Sequence, residues 1–185
     1  GGTVDGAQAL TVNGSGTTTF TGAVGGTTAL TSVTTDAAGD VSLGGSVTTT
    51  GAQDFNDAVS LTADATLEST GNGAISLDST VDGAFGLTVN TTGATTFGDA
   101  VGGTTALTSV TTNAGGTTSL GGNVTTTGAQ DFNDAVTLNV NATLESTGNS
   151  AISLDSTVDG AFDLTVNTTG ATTFGDAVGG TAALT

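Results

Sequence analysis

VDGAQALTVN begins at Val4, VDGAFGLTVN at Val81 and VDGAFDLTVN at Val158, so the chain copies itself without a gap at a constant 77-residue interval. No other feature limits the fold so tightly, because each copy must find its place against the copy before it. The stretch TTTGAQDFNDAV shows the same thing, occupying residues 48–59 and then, letter for letter, 125–136. The 185 residues divide into units 4–80 and 81–157 and a partial third, 158–185, which read together as one continuous segment, 1–185.

Such a unit is too long for one turn of a regular solenoid, and a shorter scheme runs inside it. Phe97, Leu120, Leu138 and Leu154 end the stretches ATTF, TTSL, AVTL and AISL. One residue before each anchor stands a hydroxyl (Thr96, Ser119, Thr137, Ser153), and two before it a β-branched residue (Thr95, Thr118, Val136, Ile152). Four after it stands a small aliphatic one (Val101, Val124, Ala142, Val158). Phe20, Leu43, Leu61 and Leu77 follow the same scheme, Phe174 starts it again, and the anchor spacings 23, 18, 16 and 20 recur in that order.

The local pattern alternates with period two, as in Phe85, Leu87, Val89, which is the signature of strands rather than helices. Thirty-one glycines would also weaken any helix. These features predict an all-β parallel β-helix (β-solenoid) of about 19 residues per coil, four coils per 77-residue unit. Nine to ten such coils at the inter-strand spacing of about 4.8 Å make a rod of roughly 45 Å. Anchors and the residues two before them should point inward, and the residues one and three before them outward, forming a strip of small side chains that includes Ala94, Thr117, Ala135 and Ala151. Stretches such as 106–110 and 162–166 should close the core opposite. Glycines 98, 102, 103, 115, 116, 121 and 122 should turn the corners at positive φ.

At this point VDGAFDLTVNTTGATTFGDAVGG and SLGGNVTTTGAQDFNDAVTL resemble the tandem repeats of giant bacterial surface adhesins of the filamentous-haemagglutinin-like type, including two-partner-secretion and autotransporter-like proteins. The resemblance spans essentially the whole chain. It implies a right-handed parallel β-helix, secretion to the cell surface or beyond, and a role in fibres, adhesion or biofilm matrix. It carries no catalytic or binding residue onto this sequence.

Composition removes several function classes. The chain has no Lys, Arg, His or Cys and 17 acidic residues, for a net charge of −17. Nucleic-acid binding needs Lys and Arg and is excluded, anionic membrane surfaces are disfavoured, and thiol chemistry is absent. No apolar run reaches the length of a membrane-spanning helix. Without His, Cys or Lys, only carboxylates could act as general bases. Asp131 and Asp134 are the best pair, yet Asp54 and Asp57 repeat them one unit earlier, which suits a corner motif better than an active site, so no enzyme is expected.

Calcium favours clustered oxygen ligands, whereas Asp99, Asp131, Asp134, Asp155, Asp159 and Asp163 fall at offsets whose counterparts in neighbouring coils are mostly Gly, Asn, Ser or Thr. No cofactor or metal site is expected, and calcium remains a weak alternative. TTT at 17–19, 48–50 and 125–127 raises ice binding as the alternative from another class, against which stand the mixed Ser and Thr of the outer column and the uneven coil lengths. Asn13, Asn90, Asn141 and Asn167 begin glycosylation sequons that a chain this rich in Asn and Thr produces by coincidence. The expected function is a structural repeat segment of a large secreted bacterial surface or fibre-forming protein, acidic and adhesin-like. Its expected partners are further copies of itself, joined end to end or packed laterally, and host or matrix surfaces.

Overall fold

A computed structural model describes residues 3–185, and among them every regular element is a β-strand. The strands are short, pair only in parallel, and stack as a β-solenoid of about eight turns. Side one stacks eight strands: Ala9–Val12, Ser32–Thr35, Gln53–Phe55, Ile75–Leu77, Ala94–Phe97, Thr117–Leu120, Ala135–Leu138 and Val158–Asp159. Side two stacks Thr17–Phe20, Asp40–Leu43, Ala58–Leu61 and Val81–Asp82. It continues through bridges at Val101 to Val124–Thr126, Ala142–Ser146 and Leu164–Asn167. Side three runs from Val47–Thr49 through Ala65–Ser69, Gly86–Asn90, Ser109–Thr112, Gln130–Phe132 and Ile152–Leu154 to Thr172–Phe174.

Paired strand residues lie 18, 20, 22 or 23 positions apart, and the isolated bridges of Leu30 to Thr49 and Leu107 to Thr126 span 19. Alternating burial along the strands follows from the pleat, except in the last, Thr172–Phe174, which is exposed throughout. Leu77, Phe97, Leu120 and Leu138 form one inner column on side one, and Phe132, Leu154 and Phe174 one on side three. Thr95 and Phe97, Thr118 and Leu120, Val136 and Leu138, and Ile152 and Leu154 are all buried, as the alternation requires.

The coil geometry differs from the expectation in one instructive respect. Anchor spacings of 23, 18 and 20 are true turn-to-turn steps: Phe97 over Leu120, Leu120 over Leu138, Leu77 over Phe97. The spacing of 16 is not. Leu154 pairs with Phe132 on side three rather than with Leu138 on side one. The chain passes two corners between Leu138 and Leu154, only two-thirds of a turn.

The 77-residue unit is therefore not four coils of 19. From Val81 on side two to Val158 on side one, the chain steps along eleven successive sides, 3⅔ turns, which is about 7 residues per side and 21 per turn. About eight turns give a rod of roughly 38 Å, shorter than the 45 Å expected of nine to ten coils.

The glycines also differ in part. Of those expected at corners, only Gly102 (φ 72°) and Gly115 (φ 106°) have a positive φ. At Gly98 and Gly122 the reason is proximity, since an added Cβ would stand 2.7 Å from the Asp78 carbonyl oxygen and 2.6 Å from the Ala100 nitrogen of the adjacent turn. Gly102 meets both conditions, because its Cβ would collide with the Thr125 carbonyl. Asn72 (φ 63°) and Asn149 (φ 61°), one unit apart, take the left-handed turn position that Asn tolerates best after Gly.

Gly102→Ala should destabilise the rod by about 1–2 kcal/mol from backbone conformation alone, and more from the clash. Gly16→Ala, with nothing within 4 Å of its new Cβ, should stay within about 0.5 kcal/mol of the parent. Urea unfolding of the two variants side by side tests this ranking.

Candidate functional surface

Because side chains alternate, each side of the rod presents an outer column built from the residues between the core positions. On side three this column reads Thr66, Thr88, Thr111, Asp131, Ser153, Thr173. On side one Asp54, Ser76, Thr96, Ser119 and Thr137 stand in line. On side two Thr19, Ser42 and Ser60 lead to Asp82. All three sides are thus small, hydroxyl-rich and interrupted by single carboxylates.

The strip expected to hold Ala94, Thr117, Ala135 and Ala151 is split. Ala94, Thr117 and Ala135 stack on side one, but Ala151 precedes the side-three strand Ile152–Leu154. The TTT stretches alternate rather than form flat arrays: Thr17 and Thr19 face outward on side two, whereas the middle residue of each of the other two stretches turns inward. Thr49 and Thr126 are buried, and their hydroxyls donate to the carbonyls of Gly51 (2.6 Å) and Gly128 (2.7 Å).

Asp131 and Asp134 are separated by the same alternation. Asp131 stands in the outer column, and Asp134 is 1% exposed. One Asp134 carboxylate oxygen accepts from the Gly116 amide at 2.8 Å and the other from the Thr118 hydroxyl at 3.2 Å. Asp57, its copy, is also buried and accepts from the Gly39 amide at 2.9 Å. Burial pushes the Asp134 carboxyl above its ordinary value, opposed by the Gly116 and Thr118 hydrogen bonds.

Other carboxylates clamp loops one turn away. Each unit carries one loop that bulges after a bridge residue: Gly25 follows Val24, Gly102 follows Val101, and Gly179 follows Val178. Asp82 Oδ1 accepts from the amides of Thr104 (2.8 Å) and Thr105 (2.9 Å). Asp5 holds Thr27 and Thr28 in the same way, and Asp159 holds Thr181 and Ala182. The Thr181 amide, with that of Ala182, holds the Asp159 carboxyl below its ordinary value, and the Thr27 and Thr28 amides do the same for Asp5.

At two further positions Asp and Asn interchange between units and make the same bond. Asp36 accepts from the Gly14 amide (3.0 Å) and Asn113 from the Thr91 amide (2.8 Å). Asp64 accepts from the Gly86 amide (2.8 Å) and Asn141 from the Asp163 amide (3.1 Å). What these positions need is an acceptor rather than a charge.

Four of the five sequon asparagines are engaged with a neighbouring turn, counting Asn123 of NVT, whose Oδ1 accepts from the Thr143 amide at 2.8 Å. Asn141 accepts as above, while Asn90 and Asn167 donate to Glu68 (3.2 Å) and Glu145 (2.9 Å). An open groove of about 540 Å³ runs beside the 102–106 loop, bordered by Asp40, Ser42, Ser60, Asp82 and Thr104. Asp99, Asp155 and Asp163 lie at other positions along the rod, and Asp163 accepts from the Thr185 hydroxyl at 3.3 Å. Among the described residues no group of three or more Asp, Glu, His or Cys side chains is placed to hold a metal ion.

Sequence reasoning missed the two buried glutamines. Gln53 reaches from side one to donate to the Val47 (3.2 Å) and Glu68 (2.8 Å) carbonyls of side three, tying successive turns. Gln130 repeats the bond to Val124 and Glu145 on side two. Their place two residues before Phe55 and Phe132 was the available signal, since those positions share a face. No family model, no curated protein and no solved structure matches this chain.

The directions of the carboxyl shifts set opposite pH dependences. Asp134, raised, favours the fold below its ordinary value and loses that contribution as pH rises through its folded value. Asp159, lowered, contributes above its ordinary value and loses that contribution as pH falls through its folded value. Asp134→Asn should therefore gain in melting temperature relative to the parent between pH 3 and pH 7. Asp159→Asn should fall behind over the same interval. Calorimetric melts across that range measure both.

Proposed function

We propose that the chain is a structural segment of a secreted bacterial surface or fibre-forming protein, acting as stalk, filament or matrix component without catalysis. Support comes from the rotation of the unit around the rod. A 77-residue unit covers eleven sides, so each copied feature moves to a different side in the next unit. Phe55 belongs to side one and its copy Phe132 to side three; Val4, Val81 and Val158 fall on sides three, two and one. A surface specialised for one ligand would have to stay on one side. What survives the rotation is the part every side shares, a stacked core under small polar columns, and mechanical extension is what such a core supplies.

The resemblance to filamentous-haemagglutinin-like and autotransporter-type repeats supports an extracellular or cell-surface location, and copies of the same chain are the natural neighbours along a fibre. An alphabet without Lys, Arg, Cys or Met suits exposure outside cells, since it offers no site to proteases that cleave after basic residues and no sulfur to oxidise. The ice-binding alternative needs one flat Thr array, and the buried Thr49 and Thr126 together with the rotating unit weigh against it. The calcium alternative has only dispersed carboxylates in its favour.

Antibodies against the chain should label the outside of intact producing cells or their fibres, and labelling confined to the interior would refute the proposal. In parallel, the chain should give no thermal hysteresis at millimolar concentration; a clear hysteresis gap would revive the ice reading.

A further inference from the structure

Acid ordinarily unfolds proteins by protonating paired carboxylates while Lys, Arg and His leave a repelling positive charge. The second half of that mechanism is absent here, and the first is reduced to the loop clamps Asp5 and Asp159, whose amide partners favour the charged carboxylate. The side chains include 17 carboxyl groups and no Lys, Arg or His, so acid can only remove charge from them, and there are no side-chain ion pairs to break.

The carboxylates with structural roles accept hydrogen bonds, and at two positions the interchange of Asp36 with Asn113 and of Asp64 with Asn141 shows that a neutral oxygen makes the same bond, whereas the loop clamps Asp5, Asp82 and Asp159 are Asp in every copy. A protonated carboxyl keeps such an oxygen. Asp134, enclosed with only the Gly116 amide and the Thr118 hydroxyl as partners, is easier to bury uncharged.

Charge facing outward is what keeps copies apart. Asp40 lies between Thr17 and Ala58, Asp54 between Thr34 and Ser76, and Asp131 between Thr111 and Ser153, so their immediate column neighbours are uncharged. Glu68 and Glu145 have Thr and Asn as their column neighbours. Once these carboxylates are protonated, all three sides become uncharged surfaces of small side chains, and proteins near zero net charge associate.

We propose that acid discharges this rod without unfolding it, switching copies of the chain from mutual repulsion to association. This goes beyond the stalk reading and does not depend on it.

The 185-residue chain is taken from pH 7 to pH 3 and back in low salt while circular dichroism, electrophoretic mobility and light scattering are followed. The β-sheet signal should persist throughout. Mobility should fall toward zero, and scattering should rise and then reverse on return to pH 7. In the triple variant Asp40→Asn, Asp54→Asn, Asp131→Asn the onset of scattering should shift to higher pH with the sheet signal unchanged, and added salt should shift it the same way.

Loss of the sheet signal before scattering begins would overturn the proposal. So would a folded, nearly uncharged chain that stays monomeric at pH 3, or a triple variant whose onset does not move.

Discussion

Main-chain hydrogen bonding between successive turns is the interaction on which the rest of this structure depends. In a parallel ladder each strand must lie in register over the one below, so side chains form columns whose members share one environment. Bonds such as Thr48 N to Val24 O at 2.8 Å and Val24 N to Ser46 O at 2.9 Å set that register. A column passing through the interior then favours residues that pack on their like, as with Val59, Val81, Val101 and Val124 in one line. A column passing over a tight corner admits only glycine where the next turn's backbone lies too close for a Cβ, as at Gly98 and Gly122.

Polar groups follow from the same constraint. A corner leaves backbone amides without strand partners, and each is free to take an acceptor from a neighbouring turn. Here the acceptor comes from the adjacent turn: Asp82 for Thr104 and Thr105, Asn123 for Thr143, Asp134 for Gly116. The carboxylates that looked like candidate chemistry are in large part such acceptors. Their dispersal around the rod reflects the corners they serve. Gln53 and Gln130 do the same work from inside, although their Oε1 atoms find no donor. An unpaired buried acceptor of this kind costs about 1–3 kcal/mol.

Much of this was legible in the sequence, and the gaps have physical causes. Period-two alternation correctly placed Thr95 with Phe97 and Val136 with Leu138 inside. The spacings 23, 18 and 20 were true turn lengths. The spacing of 16 misled because all three sides draw on the same small alphabet, so the residues around Leu154 resemble those around Leu138 although they line different sides. Which side a strand occupies is decided by the number of corners passed, and corners of Gly, Asn and Thr leave no periodic mark. Asp134 was legible as an inward residue, since 132, 134 and 136 continue one alternation through the turn, but its acidic character argued for the surface. The outer hydroxyl columns were foreseen, and their distribution over three sides was not.

The central claim, that a 77-residue unit is 3⅔ turns and so rotates each copied feature to another side, is tested most directly by spin labels on outer-column residues. Labels at Asp131 and Ser153, Cα partners in adjacent strands of side three, should show the strong dipolar coupling of neighbours about 5 Å apart along the ladder. Labels at Thr137 and Ser153, nearer to each other in sequence but on sides one and three, should not. Strong coupling in the second pair and weak coupling in the first would mean that four whole turns fill each unit, and would contradict the account.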